Sequence, residues 1–240
     1  MKTKIIALLP MKGTSERVPN KNLRDFNGSP LYSVVLNTLL NCHLIDKVVI
    51  NTDSQLIKDD IAKNFNSKVI VIDRPENICG NYVSMNKIIE HDISQFPASI
   101  YLQTHSTNPL LKSETIKKAL EKMSNVTDEP KADSVFSVTR TQKRFYTEDC
   151  LPMNHDPNML VTQHLKPIFE ENSCFYIFTR ESFTKNNSRI GSNPFMYEID
   201  KIEATDIDEP EDFKIAEILH RELWNQNQMI PFKQTTSPLK

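Results

Sequence analysis

A cluster of positive charges follows the first apolar run of the chain. Lys12, Arg17 and Lys21 fall within ten residues, beside Gly13 and Ser15. Lysine and arginine side chains neutralise phosphate oxygens, and a glycine lets backbone N–H groups curl around an anion. The segment matches neither the G-x-x-x-x-G-K-[ST] nor the G-x-G-x-x-G phosphate-binding pattern. On charge density alone, a polyanion site and a solvated basic loop are equally open.

Two carboxylates stand near the other end of the chain. Asp206 and Asp208 flank Ile207, and a helical pattern begins at Asp212. Alternate residues of an extended segment point the same way, so both carboxylates can face one ion. Mg²⁺ prefers oxygen ligands and often shares substrate phosphates. Because acidic residues before a helix also serve as caps, the pair by itself is a weak signal for a metal site.

The elements that must position these residues alternate between strand and helix through the first 140 residues. This alternation predicts an α/β fold with a doubly wound, mostly parallel sheet, in which ligands bind beyond the carboxyl ends of the strands. The predicted strands cover residues 5–9, 48–51, 69–72, 100–103, 134–139 and 173–179. Helical spacing of apolar residues appears over 31–39, 56–65, 85–96 and 116–123, and an amphipathic helix over 212–223 closes the domain.

Composition restricts the class of protein. The 240 residues carry a formal net charge of −2, which predicts no bulk binding to nucleic acid or to an anionic membrane. Four scattered cysteines without a C-x-x-C pair, and an apolar run at 5–9 that is too short for a signal segment, predict a cytoplasmic protein with reduced thiols. We expect a single domain over residues 1–228, with a candidate dimerisation arm at about 141–172, and a loose tail over 229–240.

The basic loop carries a more specific pattern. Residues 10–23 fit P-x-[RK]-x-x-S-x-x-x-P-x-K-N-L, which resembles the N-terminal signature of the acylneuraminate (CMP-sialic acid) cytidylyltransferases. The resemblance implies that a triphosphate is held by Lys12 and Lys21, and that the nucleotide is contacted by Ser15 and Asn22. Glu16-Arg17 departs from a frequent Lys-Gly pair of the family. We expect Arg17 to act as the substitute cation at the outer phosphates.

Further segments resemble the family in the same order along the chain. Arg74, in Arg-Pro-Glu-Asn-Ile, would help to hold the nucleotide. Gln103 would line the sugar pocket, in a segment that carries two extra residues compared with the family's L-Q-P-T-S-P-L. Gln163 and Asn172 would face the acceptor sugar. The aspartate that commonly follows the Arg-Pro segment is here Asn81, which removes a charge and leaves the role of this position open.

His105 also lies in the altered segment and is a candidate general base. A lone histidine is more often structural or merely exposed, so both interpretations stay open. The histidines of the chain show no H-x-x-x-H or similar metal-binding spacing.

The resemblance extends to function. The family's I-D-I-D-[TE]-x-x-D segment corresponds to Asp206 and Asp208, which would bind Mg²⁺. The implied enzyme is a cytidylyltransferase that moves CMP from CTP to an acidic α-keto sugar, releases pyrophosphate and works as a homodimer joined through the arm. A glycosyltransferase of related fold, using D-x-D and a nucleotide sugar, is one alternative. A catalytically inactive nucleotide-binding homologue is another.

Overall fold

The fold is an α/β sandwich built on one large sheet. The computed structural model describes residues 3–124, 132–158 and 161–228. The strands are β1 (Ile5–Leu8), β2 (Asp25–Phe26), β3 (Ser29–Pro30), β4 (Lys47–Thr52), β5 (Val69–Asp73), β6 (Ile100–Thr104), β7 (Ser134–Thr141), β8 (Ile168–Phe178) and β9 (Pro194–Glu198). The helices are α1 (Leu31–Asn41), α2 (Gln55–Asn64), α3 (Met85–Gln95), α4 (Ser113–Ser124), α5 (Arg180–Asn186) and α6 (Pro210–Gln228).

Seven of these strands form the main sheet in the order β5-β4-β1-β6-β8-β7-β9 within the described residues. Neighbouring strands β5, β4, β1 and β6 are parallel, whereas β8 runs antiparallel to both β6 and β7. β1 therefore lies between two parallel partners, and its carboxyl end opens onto the same edge as those of β4 and β6. This mostly parallel, doubly wound sheet confirms the predicted fold class.

The first strand is buried on both faces. Ile5, Ala7 and Leu9 pack into one apolar cluster with α1, α2 and α4, while Ile6 and Leu8 pack into the opposite cluster with α3 and α5. A strand that is covered on both sides reads as a continuous apolar run instead of an alternating one. The rigid position of β1 fixes where the basic loop after it begins.

The predicted strands and long helices are confirmed, with shifts at their ends. β8 begins at Ile168 and not at residue 173, because the polar stretch before Ser173 pairs with β7 through Glu170 and Glu171. Its exposed side chains carry no apolar alternation, so the pattern gave no sign of a strand. Three elements were not predicted, namely the short β2–β3 hairpin, the seven-residue α5 and the edge strand β9.

The β7–β8 ladder covers both ends of the segment predicted as a dimerisation arm, residues 141–172. The β7–β8 ladder extends to the pair Thr141 and Ile168, so the irregular segment lies between these two residues. The proposed tail over 229–240 lies outside the described residues. In the part of the chain that is described, no helix combines the length and apolar character needed to cross a membrane.

Candidate active site

Hydrogen bonds to the end of β4 and to the residue after it hold the basic loop that follows β1. The Met11 amide donates to the Asn51 carbonyl at 2.9 Å, and the Gly13 amide donates to the Asp53 carboxylate at 2.6 Å. A Cβ atom at Gly13 would lie 2.8 Å from the Cβ of Ser54, closer than real Cβ contacts allow. Gly13 is thus explained by close packing against the start of α2. Its N–H binds protein and does not curl towards an anion, contrary to the expectation from the sequence.

The buried side chain of Arg74 forms a hydrogen bond to the same loop. Its guanidinium is buried and donates to the Met11 carbonyl at 3.0 Å, the Asn51 carbonyl at 2.8 Å and the Asn51 side-chain oxygen at 2.8 Å. Burial lowers the pKa of Arg74, and the nearby Asp53 carboxylate opposes that shift. The arginine lines the cleft beside the loop, and it links the loop backbone at Met11 to Asn51 on β4.

Asn81 connects two side chains of the basic loop. Its oxygen accepts from the Lys12 ammonium at 3.0 Å, and its amide nitrogen donates to the Glu16 carboxylate. An aspartate at position 81 would place a second carboxylate against Glu16, which like-charge repulsion disfavours. The two departures from the family pattern, Glu16 and Asn81, therefore compensate each other in this chain.

The other two cations of the loop, Arg17 and Lys21, contact the acidic segment at residues 206–209. Arg17 pairs with Asp208 at 2.6 Å and with Glu209 at 3.0 Å. The Lys21 ammonium donates to the Ile207 carbonyl at 2.6 Å. The pKa of Arg17 is raised, first by its hydrogen bond to Glu209 and then by the charge of Asp208. Burial lowers the pKa of Lys21, and the two aspartates of the late segment oppose that shift.

The acidic segment is held in an extended conformation before α6. Ile207 is fully buried and its amide donates to the Thr107 carbonyl at 3.0 Å. Both flanking aspartates, Asp206 and Asp208, lie at the surface, as alternation along an extended segment predicts, although the Asp206 carboxylate is closely surrounded by protein atoms. The Asp212 carboxylate accepts from the Asp208 amide at 3.1 Å, which anchors the segment to the first turn of the helix.

The donor set of this segment suits a hard divalent cation. The pKa of Asp206 is raised, mainly by desolvation and also by the negative charge of Asp208, while a hydrogen bond from Thr107 opposes the rise. A cation between the two carboxylates would relieve that repulsion. Among the described residues no group of three or more acidic, histidine or cysteine side chains is placed to hold a metal. An ion here would need water and substrate oxygens to complete its coordination, as Mg²⁺ commonly does.

A cleft of about 420 Å³ lies beside the basic loop. Six of the predicted site residues line it, namely Lys12, Ser15, Arg17, Lys21, Asn22 and Arg74. Asn22 fixes the loop to the segment after β6, since its amide donates to the Lys12 carbonyl at 2.8 Å and its oxygen accepts from the Ser106 hydroxyl at 2.6 Å. A larger cavity, of about 870 Å³, shares no lining residue with this cleft and contains no pair of carboxylates.

The three residues predicted to face the acceptor sugar do not line this cleft. Gln103 is fully buried at the end of β6, directly behind the cleft residue His105. Asn172 lies on β8 and donates to the Thr139 hydroxyl at 2.8 Å. Gln163 is exposed in a short 3-10 turn of the arm segment. The structure thus brings together the predicted nucleotide residues and leaves the predicted sugar residues spread along the β6 and β8 side.

Four residues of the site region were not singled out from the sequence for the contacts they make. They are Asp53, Ser106, Arg189 and Glu209, which bind Gly13, Asn22, Gln103 and Arg17 respectively. Asp53 precedes the N-cap of α2, which is Ser54, whose side chain accepts from the Ile57 amide. No spacing or composition signal marks Arg189, which reaches the site from the segment after α5 through tertiary packing alone.

Comparisons with known proteins identify the family of this chain. A family model described as Cytidylyltransferase matches residues 6–234. The chain is 24% identical over 234 residues to the pseudaminic acid cytidylyltransferase of Campylobacter jejuni, covering 91% of this chain and 97% of that one. It is 27% identical over 232 residues to the N-acylneuraminate cytidylyltransferase of Escherichia coli, covering 90% of this chain and 52% of that one.

Solved structures share the fold. A CMP:2-keto-3-deoxy-manno-octonic acid synthetase complexed with CTP superposes with a TM-score of 0.67 at 15% identity, covering 92% of this chain and 100% of that one. A 4-diphosphocytidyl-2C-methyl-D-erythritol synthase from Anaerococcus prevotii gives a TM-score of 0.66 at 13% identity, covering 92% and 97%. At such identities the superpositions support the architecture, and the family match supports the enzyme class. The chain is a nucleotidyltransferase that belongs to the cytidylyltransferase family.

Proposed function

We propose that this enzyme transfers CMP from CTP to an acidic α-keto sugar of the nonulosonate class and releases pyrophosphate. The proposal rests mainly on one contact. Arg17 of the basic loop forms a 2.6 Å ion pair with Asp208, so cations from the start of the chain and carboxylates from its end lie side by side. A polyphosphate and a divalent ion could be held there together. The relatives named for pseudaminic acid and N-acylneuraminate support an acid sugar as the acceptor.

The reaction balances without a covalent enzyme intermediate. The hydroxyl on the anomeric carbon of the acid attacks the α-phosphorus, a new C–O–P linkage forms, and the bond between the α-phosphorus and its bridging oxygen to the β-phosphate breaks. Pyrophosphate leaves, and the hydroxyl proton passes to solvent. Lys12 offsets charge on the α- and β-phosphates, while Lys21 and Arg17 steady the leaving pyrophosphate. The contribution of the protein is position and electrostatics, as in other phosphoryl transfers.

We propose Mg²⁺ as the cofactor, with Asp206 and Asp208 as its protein ligands. When bound, it would neutralise phosphate charge and polarise the phosphorus centre. Arg17 now occupies one oxygen of Asp208, so it would have to exchange that contact for a phosphate oxygen. This exchange agrees with the part proposed for Arg17 at the pyrophosphate.

We propose that the acceptor binds on the β6 and β8 side, where Gln163 and Asn172 would contact it. Gln103, which is fully buried, would act there through a neighbouring side chain. None of these lines the cleft in the described conformation. Gln103 and Asn172 lie on β6 and β8, and Gln163 lies between β7 and β8, so the basic loop is left to the nucleotide. The two substrates would therefore approach the α-phosphorus from different parts of the same sheet edge.

We also propose that the arm forms a homodimer contact. Large apolar side chains are exposed on the segment between β7 and β8, including Leu151 at 60% and Met153 at 64%. Exposed apolar groups clustered on one segment are typical of an interaction surface. Sedimentation of Leu151→Asp should show a shift from dimer to monomer. Leu56→Asp, at a leucine of α2 exposed to 69%, is the matched control and should stay dimeric.

The function is tested by a pyrophosphate-release panel. The purified protein is incubated with CTP, Mg²⁺ and one acid at a time: N-acetylneuraminate, legionaminate, pseudaminate or Kdo. We expect release with at least one acid, together with formation of its CMP derivative. Absence of release with every acid, or sugar transfer from a nucleotide sugar in place of CTP turnover, would refute the proposal.

A further inference from the structure

A line of three hydrogen-bonding side chains runs from the interior to the cleft. The Arg189 guanidinium lies 3.9 Å from the centre of the Tyr176 ring and donates to the Gln103 oxygen at 2.6 Å. Gln103 is fully buried, and its amide nitrogen donates to the Thr104 carbonyl at 2.8 Å. The same nitrogen lies 3.3 Å from Nε2 of His105, which lines the cleft.

This arrangement determines which ring nitrogen of His105 carries the proton. Arg189 can only donate, so the Gln103 atom that faces it must be the oxygen. The Gln103 nitrogen then points at Nε2 of His105 and donates to it. Nε2 must therefore be the acceptor, and the proton of the neutral ring resides on Nδ1.

The environment keeps the His105 ring neutral. Burial, and secondarily the positive charge of Arg189, lower the pKa of His105 to about 4. A group with this pKa binds protons too weakly at neutral pH to serve well as a general base. Within the described residues, Nδ1 of His105 has no hydrogen-bond partner, so its N–H is free to donate, and His105 lines the cleft.

We propose that His105 is a specificity-determining residue that donates its Nδ1–H to an oxygen of the acid sugar, and that Gln103 and Arg189 position it. The inference rests on the proposed function and names a further contact to the same acceptor. We prefer the acceptor as the ligand because Arg189, which binds Gln103, lies over the ring of Tyr176 on β8, the strand that carries Asn172. Gln103 itself lies between β1 and β8, so the measurement of CTP binding described below decides between the two substrates. The cations proposed for the triphosphate belong to the loop after β1.

The test compares two substitutions at His105. Asparagine places an N–H near the position of Nδ1 but cannot act as a base, whereas alanine removes the donor. With an acid that the wild-type protein converts, His105→Ala should raise the KM for the acid about five- to tenfold, the loss of one hydrogen bond. His105→Asn should stay within about threefold of wild type. His43→Asn, at an exposed histidine away from the cleft, is the matched control.

The nucleotide is the internal comparison. The Kd for CTP, measured calorimetrically with no acid present, should be the same for wild type and His105→Ala within about twofold. A parallel rise in the Kd for CTP would mean that the donor serves the nucleotide, and would overturn the assignment to the acid. Equal loss of turnover in the asparagine and alanine variants would also overturn it, because that result is expected of a general base.

The positioning of His105 by Gln103 and Arg189 can be tested without substrate. Long-range ¹⁵N spectra of the imidazole should show Nδ1 protonated at pH 7 and no titration of His105 between about pH 5.5 and 8. Arg189→Met, which keeps the packing on Tyr176, should mix the two tautomers. If the enzyme is active but His105 carries its proton only on Nε2, the inference about His105 is refuted and the proposed function is not. If no acid is converted by the wild type, the proposed function fails, and the ligand named here fails with it.

Discussion

Removal of the Asp208 carboxylate tests whether the acidic segment before α6 contributes to catalysis or only to the stability of the fold. Asp208 and Glu209 each hold one nitrogen of the Arg17 guanidinium, at 2.6 and 3.0 Å. Their side chains are similarly exposed, at 54% and 51%. Glu209→Ala is therefore a matched control for Asp208→Ala, because each variant removes one Arg17 contact from the same surface.

The two variants should have similar stability and very different activity. Exposed ion pairs contribute little to folding, so the thermal midpoint should change by less than about 3 °C in either variant. Asp208→Ala should lower kcat at least about 100-fold if it is the proposed metal ligand, since loss of a ligand removes several kcal/mol of transition-state stabilisation and each tenfold in rate is about 1.4 kcal/mol. Glu209→Ala should keep kcat within about fivefold of wild type.

The assay is pyrophosphate release at saturating CTP and acid, with Mg²⁺ varied from well below to well above the concentration of CTP. Asp208→Ala should also require more Mg²⁺ for half-maximal activity than Glu209→Ala does. Equal losses in the two variants would show that the carboxylates act only by orienting Arg17. Wild-type activity in Asp208→Ala, with an unchanged need for Mg²⁺, would remove the metal site from the mechanism.

Three further outcomes follow from the packing. Gly13→Ala should lower the free energy of unfolding by about 1–3 kcal/mol and raise the KM for CTP, because its Cβ would meet Ser54 at 2.8 Å; urea titration and kinetics measure the two effects, and an unchanged protein would contradict the close contact. Phe178→Ala should cost about 3–5 kcal/mol by urea titration, since the ring is fully buried against Tyr101. Burial raises the pKa of Asp92 above 3.8, so its ionisation costs folding free energy as the pH rises through the raised pKa. Asp92→Asn should therefore become more stable relative to wild type as the pH rises above 3.8, measured by unfolding titrations at several pH values, and a pH-independent difference would contradict this.

Periodicity predicted the central part of the fold well because that part is apolar. β1, β4 and β6 are buried along their length, so each produced a clear run in the sequence. The start of β8 and the edge strand β9 are exposed and hold their place through pairing with β7. Such pairing depends on distant partners, and no local pattern records it.

In the site, too, groups of residues that are close in the sequence could be predicted, whereas contacts between distant residues could not. The basic loop could be recognised because Lys12, Arg17 and Lys21 lie close together in the sequence and carry a family pattern. The contact of Glu16 with Asn81 could not be foreseen, since each residue alone looks like a lost feature. Arg189 depends entirely on the path of the chain after α5, and its role required coordinates.

The salt bridge between Arg17 and Asp208 joins residues 191 positions apart. During synthesis on the ribosome, the basic loop emerges early and must wait for most of the polypeptide before its acidic counterpart leaves the exit tunnel. A chain that stops prematurely before residue 206 would carry Lys12, Arg17 and Lys21 but neither Asp208 nor Glu209. Under the function proposed above, joint retention of the nucleotide and the metal would distinguish finished molecules from truncated ones and would give a purification step that selects for completed translation.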